Sequence, residues 1–164
     1  MKSYRFYIMI ILLIIIFNSN CSKDELILND EYLKISDLTH YCDCDRYIFS
    51  RKKVQEAIAR CDSMEIKVKG YIVNTSSDFE DIILFSDTFS IFTLKDIRNE
   101  KYIKVGFDYN NQDIKNKIHS SSETDMCYIN GIIKSFNEPP NYVVIYAILN
   151  SEDDIFFTNE NNNN

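Results

Sequence analysis

The densest group of side chains that could bind a metal or form disulfides lies in the segment His40-Tyr-Cys42-Asp-Cys44-Asp45. Thiolate sulfur and imidazole nitrogen suit zinc, and Cys61 would supply a further ligand. Structural zinc sites usually place two or more residues between paired cysteines, however, and the chain has no second such pair. Disulfides are the simpler account in an oxidising compartment, and reduced thiols are the other alternative. Three pairings are open to the four candidate cysteines, Cys42, Cys44, Cys61 and Cys127. We expect no metal and no cofactor.

No set of residues with the spacing of a catalytic site emerges. The two histidines, His40 and His119, are expected on a loop and at a polar helix end, where solvated side chains are common. The chain has no Gly-rich phosphate loop, no His-Glu-x-x-His and no Gly-x-Ser-x-Gly motif. The acidic pairs Glu80-Asp81 and Asp153-Asp154 lack the alternating oxygen ligands of a calcium loop. We therefore expect a binding protein and not an enzyme.

Three tyrosines are the candidates for a ligand-binding face. Tyr71, Tyr102 and Tyr128 fall at outward positions of alternating segments, because successive strand residues point to opposite faces. Exposed tyrosines stack on sugars or bases, or contact a protein partner. Outward tyrosines are also ordinary strand residues, so this alternative stays open.

Two periodicities define the elements that must position these residues. Ser50 is a candidate N-cap for a helix over residues 51–60, and Val54, Ala57, Ile58 and Cys61 recur at the spacing of one helical face. Residues 31–45 show no sustained period and predict no element. From residue 65 onward a period of two predicts strands. The predicted strands cover residues 65–74, 81–85, 89–94, 101–108, 126–136 and 142–149, with a short helix at 110–119, a proline turn at 137–141, and residues 153–157 extending or flanking the last strand.

Two of these strands share a glycine at matching places, in Val68-Lys69-Gly70-Tyr71-Ile72 and Ile129-Asn130-Gly131-Ile132-Ile133. With the order of elements, these segments make the chain resemble the OB-fold. The resemblance implies a mainly β domain: a five-stranded antiparallel barrel with a helix between its third and fourth strands, here preceded by an N-terminal helix. It also implies a ligand face around the second and third strands. A generic antiparallel α+β domain is the alternative.

The beginning of the chain has the pattern of an export signal. Lys2 and Arg5 precede a short apolar run over residues 7–17, and Cys21 follows it. Here the chain resembles bacterial lipoproteins, although Asn18 and Asn20 depart from that family's preferences. The resemblance implies a lipid on Cys21 that attaches the protein to a membrane. An uncleaved anchor and ordinary secretion are the alternatives.

Lys23, Asp24 and Glu25 look like the tag that some Gram-negative groups use to display lipoproteins on the outer surface. The resemblance therefore implies a lipoprotein of the outer membrane, in the cell envelope. Display on the cell surface is left open. The expected division is a signal peptide at 1–20, a polar tether at 21–30, a helical or irregular segment at 31–62, an OB-fold-like domain at 63–158 and a polar tail at 159–164.

Charge separates the two classes of ligand. The chain has 18 basic and 25 acidic residues, a net charge of −7, and loss of Lys2 and Arg5 makes it more acidic. Acidic proteins repel phosphate backbones unless they carry a local basic surface. The only dense basic run is Arg51-Lys52-Lys53. We therefore expect a lipid-anchored, non-catalytic module that binds an envelope protein or glycan. Nucleic acid, the alternative ligand of an OB-fold, is not the expected partner.

Overall fold

The structure, a computed structural model, describes residues 32–44, 46–73, 79–84 and 86–158. This part of the chain is mainly β-structure with three α-helices. In chain order the elements are β1 (Leu33–Lys34), α1 (Ile35–Tyr41), α2 (Arg51–Cys61), β2 (Glu65–Val73), β3 (Glu80–Leu84), β4 (Asp87–Lys95), β5 (Tyr102–Asp108), α3 (Gln112–His119), β6 (Met126–Glu138), β7 (Tyr142–Ile148), a 3-10 turn (Glu152–Asp154) and β8 (Ile155–Thr158).

Five of the strands close into a barrel. β2 pairs with β4, β4 with β5, and β6 with β7, all antiparallel. A short parallel contact joins β5 to β7, and the long antiparallel ladder between β6 and β2 closes the ring. The helix α3 follows the third barrel strand and precedes the fourth. This confirms the prediction of an OB-fold-like five-stranded barrel preceded by an N-terminal helix.

The barrel interior is filled by the inward residues of the alternating strands. On β2, Ile66, Val68 and Ile72 are buried, while Glu65 and Lys67 between and beside them are exposed. The same alternation runs through β5 and β6. Burying a large aliphatic side chain contributes roughly 1.5–3 kcal/mol, so this pattern determines which face of each strand remains available for a ligand.

The segment before the barrel is more ordered than its sequence predicts. Leu33 and Lys34 form β1, which pairs in parallel with β2, and the helix α1 follows at once. Ile35 and Leu38 of α1 are fully buried. The missed elements are too short to show a period, and tertiary contacts stabilise them instead of local propensity. Helix α2 begins as predicted, but the Ser50 side chain makes no capping hydrogen bond.

A buried carboxylate fixes α1 to the end of β4. The backbone N–H of Ser36 donates to Asp96 Oδ2 at 2.8 Å, and that of Arg98 donates to Oδ1 at 2.9 Å. Burial by itself would raise the pKa of Asp96, but these N–H donors outweigh it and hold the pKa below its ordinary value. The carboxylate thus satisfies an N–H at the start of α1 that has no partner within the helix.

The two glycines that carry the OB resemblance differ in their surroundings. A Cβ on Gly70 would overlap the carbonyl oxygen of Lys95 and come within 3.0 Å of Ile35 Cδ1. A Cβ on Gly131 would meet the carbonyl oxygen of Ile148 at 3.1 Å, a tight contact but without the overlap found at Gly70. Both glycines face backbone, and Gly70 is held much more tightly against it than Gly131 is.

We expect Gly70→Ala to destabilise the domain by about 1–3 kcal/mol, the usual cost of overpacking, and Gly131→Ala to cost distinctly less. Urea unfolding followed by circular dichroism measures both midpoints. With a slope of roughly 1–3 kcal/mol per molar urea, the Gly70 variant should lie near 1 M below the wild type. Equal midpoints for the two variants would contradict the difference in packing.

Candidate functional site

A row of outward side chains crosses three strands of the barrel. In the strand register, Lys104 on β5 lies opposite Tyr146 on β7, which lies opposite Lys134 on β6. These side chains point outward because their neighbours in sequence, Val105 and Ala147 among them, are fully buried in the interior. The row therefore places one tyrosine between two lysines, one exposed and one half-buried.

An aromatic pair joins this row to the neighbouring outward pair, in which Phe136 lies opposite Val144. The ring of Phe136 stacks on that of Tyr146, with centroids 5.7 Å apart and planes inclined by 16°. Lys104 Nζ lies 5.9 Å from the centroid of the Tyr146 ring, within the range of a cation–π contact. Tyr146 is only 7% exposed, so half-buried Phe136 supplies most of the accessible aromatic surface beside the lysines.

The next row along β4 and β5 adds a third lysine and an exposed ring. Lys95 lies opposite Tyr71 on β2 and opposite Tyr102 on β5, and Tyr102 is 45% exposed. Glu100 accepts hydrogen bonds from Lys95 Nζ at 2.9 Å and from the Tyr102 hydroxyl at 2.8 Å. This raises the pKa of Lys95 and of Tyr102 and lowers that of Glu100. Glu100 thus offsets the charge of Lys95 and leaves the row with Lys104 and Lys134 as the stronger site for an anion.

These residues form one continuous surface, which we call the basic-aromatic face. It consists of Lys95, Tyr102, Lys104, Lys134, Phe136 and Tyr146. Its position on β5 and the adjoining strands includes the third barrel strand, where the OB resemblance implies a ligand face. Lysine ammonium groups bind anions, and exposed rings stack on planar groups, so the face can bind a ligand that carries both.

An apolar cluster overlaps the face on the side of β3, since Tyr146 belongs to both and Phe136 packs against the cluster. Ile91, Ile148 and Tyr146 form its buried centre on the outside of the barrel. Gly106 makes this packing feasible, since a Cβ there would lie 2.9 Å from Ile148 Cδ1 and 3.1 Å from Ile91 Cδ1. Ile82 and Leu84 of β3 pack against the cluster. Ile91 and Ile148 pack against one side of Tyr146. The accessible part of the face is therefore the side that carries the lysines.

The three tyrosines predicted as a ligand face lie on three different barrel strands, β2, β5 and β6. Tyr71 and Tyr102 lie in one row on either side of Lys95. Tyr128 lies opposite Lys69 on the β2–β6 side, where its ring stacks on Phe156 at 4.9 Å and meets Tyr32 edge-on at 5.0 Å. Alternation alone shows that a residue points outward, but the direction around a barrel depends on the pairing of distant strands.

Sequence reasoning missed Lys134, Phe136 and Tyr146 as residues of a site. Alternation within β6 and β7 places all three outward, as it does for Lys104. The sequence shows this alternation, but it does not show that β5 pairs with β7. Their parallel contact covers three residue pairs and joins segments about forty residues apart in the register.

The candidate cysteines have different environments. A disulfide joins Cys42 at the end of α1 to Cys61 at the end of α2, with Cα atoms 5.8 Å apart. The thiol of half-buried Cys44 contacts the carbonyl oxygen of Cys42 at 3.7 Å. Cys127 is fully buried, and burial raises the pKa of its thiol far above the ordinary value. Within the described ranges, no group of three or more His, Cys, Asp or Glu residues is placed to hold a metal.

The histidines lie apart from the basic-aromatic face. His40 is exposed at the end of α1. The ring of His119, at the end of α3, lies 5.0 Å from that of Phe79.

The predicted lipidation residue and export tag, Cys21, Lys23, Asp24 and Glu25, lie outside the described residues. Asp45 of the first cysteine-rich segment also lies outside them. Among the helices that the structure describes, none has the length and apolar character needed to cross a membrane.

No protein-family model and no curated protein matches the chain. Similar solved structures include the mitochondrial single-stranded DNA binding protein Rim1 from S. cerevisiae, 10% identical, with a TM-score of 0.43 over 60% of this chain and 98% of that chain. The OBody NL8 bound to hen egg-white lysozyme is 16% identical, with a TM-score of 0.40 over 59% and 97%. The Plasmodium falciparum SSB in complex with ssDNA is 15% identical, with a TM-score of 0.36 over 57% and 93%.

Two expectations drawn from the sequence are corrected. A binding module for an envelope protein or glycan was expected, and nucleic acid was not the expected partner. The similar structures include single-stranded DNA-binding proteins. The physical reason lies in the distribution of charge: the sequence offered outward aromatics without a basic groove, whereas the strand register brings Lys104 and Lys134 to the same surface as Phe136 and Tyr146.

Proposed function

We propose that this domain binds single-stranded nucleic acid on the basic-aromatic face, without catalysing a reaction. The observation that carries the proposal is the row in which Lys104 and Lys134 lie on either side of Tyr146, with Phe136 stacked against it. Lysines displace counterions from phosphates, and aromatic rings stack on bases of any sequence. A single strand presents both groups to one surface, whereas a duplex hides the faces of its bases.

The spacing of the row suits a strand that crosses the barrel. Neighbouring strands lie about 4.8 Å apart, so the backbone positions of Lys104 and Lys134 are roughly 10 Å apart across β7. Their flexible side chains extend beyond that distance. The two ammonium groups can therefore contact different phosphates of one strand, while a base between them contacts Phe136 or Tyr102.

The acidic balance of the chain weakens this binding without preventing it. At physiological ionic strength, charges more than about 8 Å away are largely screened, so the nearby lysines dominate at the face. Glu100 lies beside the face, where it accepts hydrogen bonds from Lys95 and Tyr102. We therefore expect modest affinity, on the order of 1–100 μM, with a clear dependence on salt.

Fluorescence anisotropy with a labelled oligothymidine of about ten nucleotides tests the proposal. We expect saturable binding near 0.1 M salt that weakens as salt rises, with a log–log slope of at least about 1.4 in magnitude for two phosphate contacts. A duplex of the same length should bind more weakly. No anisotropy change at about 100 μM protein and low salt, or binding that ignores salt, would overturn the proposal.

For the location, we propose that the protein is exported to the cell envelope as an outer-membrane lipoprotein, by attachment of a lipid to Cys21. This rests on the position of Cys21 after the apolar run and basic residues of the N-terminal segment. Nucleic acid bound by the domain would then lie outside the cytoplasm. The location and the binding face rest on different residues, so either stands without the other.

Metabolic labelling with a fatty-acid probe is expected to mark the wild-type protein and to leave Cys21→Ser unmarked, because only the thiol accepts the lipid. Ser22→Ala, which leaves the cysteine in place, is the control and should be labelled as the wild type is. Equal labelling of the wild type and Cys21→Ser would contradict lipid attachment at this residue.

A further inference from the structure

A second group of exposed aromatic rings lies beside the β6–β7 turn, outside the basic-aromatic face. The ring centroids of Tyr47 and Phe49 are 4.9 Å apart, and those of Tyr47 and Tyr142 are 5.6 Å apart. Phe49 is 91% exposed. Ile48 between the first two is buried, and its N–H donates to the carbonyl oxygen of Asn141 at 3.2 Å. The linker before α2 is thus fixed to the turn, with its rings directed to solvent.

A basic run adjoins these rings. Arg51, Lys52 and Lys53 form the exposed first turn of α2, two residues after Phe49. No acidic residue lies in that turn, and Glu56, one turn further along the helix, has a carboxylate oxygen 4.0 Å from Lys52 Nζ. Cations at a helix N-terminus oppose the helix dipole and cost stability. An anion bound between them would remove that cost. We call Tyr47, Phe49, Arg51, Lys52, Lys53 and Tyr142 the α2 platform.

The outer side of β7 connects the platform to the basic-aromatic face. Tyr142, Val144 and Tyr146 alternate on that side, while Val143 and Ile145 are buried inside the barrel. At about 3.4 Å per residue, Tyr142 lies roughly 14 Å from Tyr146. Exposed Glu138, opposite Tyr142, is the acidic residue paired along this route. The two surfaces are close enough for one strand of several nucleotides to contact both.

We infer that a single strand bound on the basic-aromatic face continues along β7 onto the α2 platform, where its bases stack on Phe49 and its phosphates contact Arg51, Lys52 and Lys53. This inference rests on the proposed function. It makes the site longer than the barrel face alone and predicts that affinity depends on the length of the strand. It also gives a function to the basic run, which lies outside the barrel.

Two oligothymidines, of about five and about fifteen nucleotides, test the inference with the full chain. A fifteen-nucleotide strand offers about eleven overlapping registers to a five-nucleotide site, so statistics alone favour it about tenfold. If the platform also binds, the wild type should bind the longer one about a hundredfold more tightly. The variant Phe49→Ala/Arg51→Gln/Lys52→Gln/Lys53→Gln should retain only the statistical factor, while its affinity for the shorter one equals that of the matched control described below. All four replaced residues are exposed, and a melting curve checks that the variant is folded.

The matched control is Lys67→Gln/Lys69→Gln/Lys115→Gln. It removes three positive charges, as the platform variant does, but takes them from the outward side of β2 and from α3. Its net charge therefore equals that of the platform variant, and any long-range effect of charge on the longer oligonucleotide is the same for both. The control should keep the advantage of the longer oligonucleotide.

The possible outcomes distinguish a failure of this inference from a failure of the proposed function. If the shorter oligonucleotide binds but the platform variant keeps the same length advantage as the wild type, the inference is overturned and the proposed function stands. If neither oligonucleotide binds the wild type, both fail. A parallel arm uses vesicles of phosphatidylglycerol and phosphatidylcholine: if the variant loses vesicle binding and keeps its affinity for both oligonucleotides, the platform binds an anionic membrane and the inference is wrong.

Discussion

Replacing Lys104 and Lys134 together with glutamine is expected to weaken binding of a ten-nucleotide oligothymidine by about tenfold or more near 0.1 M salt. Each lysine that contacts a phosphate contributes about 0.7 to the salt slope for a single strand, so the slope should fall by about 1.4. Glutamine keeps most of the length of the side chain and its packing against Tyr146, and removes the charge. Anisotropy titrations at four or more salt concentrations measure both quantities.

The matched control for this variant is Lys67→Gln/Lys69→Gln. These lysines also point outward from a barrel strand, but they lie opposite Asn130 and Tyr128 on the β2–β6 side. The control changes the net charge by the same amount, so it measures the long-range effect of charge alone. Equal losses of affinity in the two double variants would place binding outside the basic-aromatic face. An unchanged salt slope in Lys104→Gln/Lys134→Gln would show that these two lysines do not contact phosphates.

Loss of the disulfide is expected to lower the free energy of unfolding by about 3 kcal/mol, the size expected for a closed loop of this length. Cys42 and Cys61 are 19 residues apart and fully buried. The bond joins the ends of α1 and α2, whose apolar sides pack into the core. Without it, the unfolded chain gains conformational freedom that the folded state lacks.

Urea unfolding of the wild type and of Cys42→Ala/Cys61→Ala, each with and without dithiothreitol, measures this effect. Reductant should lower the wild-type midpoint by about 1 M or more and leave the variant midpoint unchanged. Alanine avoids burying a hydroxyl group at either position. The wild type is incubated with dithiothreitol both in buffer and in urea, so that the reductant also reaches the unfolded chain. An unchanged wild-type midpoint after both treatments would contradict a stabilising disulfide.

The barrel follows from local patterns to a large extent. Alternation along β2, β5 and β6 predicts which residues fill the interior, and the matching glycines with the order of elements imply closure. Elements held by distant contacts do not follow. β1 has two residues and exists because it pairs with β2, and α1 is a seven-residue helix fixed by burial of Ile35 and by Asp96.

The candidate site depends on contacts that the sequence does not display. Lys104, Lys134 and Tyr146 become neighbours only because β7 inserts between β5 and β6. Separately, each reads as an ordinary outward residue. The net charge of the chain also led to the expectation that nucleic acid is not the partner. A sum over all residues does not show where the positive groups lie on the surface. Even the resemblance to the OB-fold indicates a general face and leaves open which side chains lie on it.

A single tryptophan placed on the face gives the most direct test of where nucleic acid binds, because the chain has no tryptophan of its own. In Tyr102→Trp the indole lies on the basic-aromatic face, and in Phe156→Trp it lies beside Tyr128 on the β6–β8 side. The account predicts that oligothymidine quenches the fluorescence of Tyr102→Trp, by stacking, with the same Kd that anisotropy gives. Phe156→Trp should not respond. Quenching of Phe156→Trp without any change in Tyr102→Trp would contradict the account.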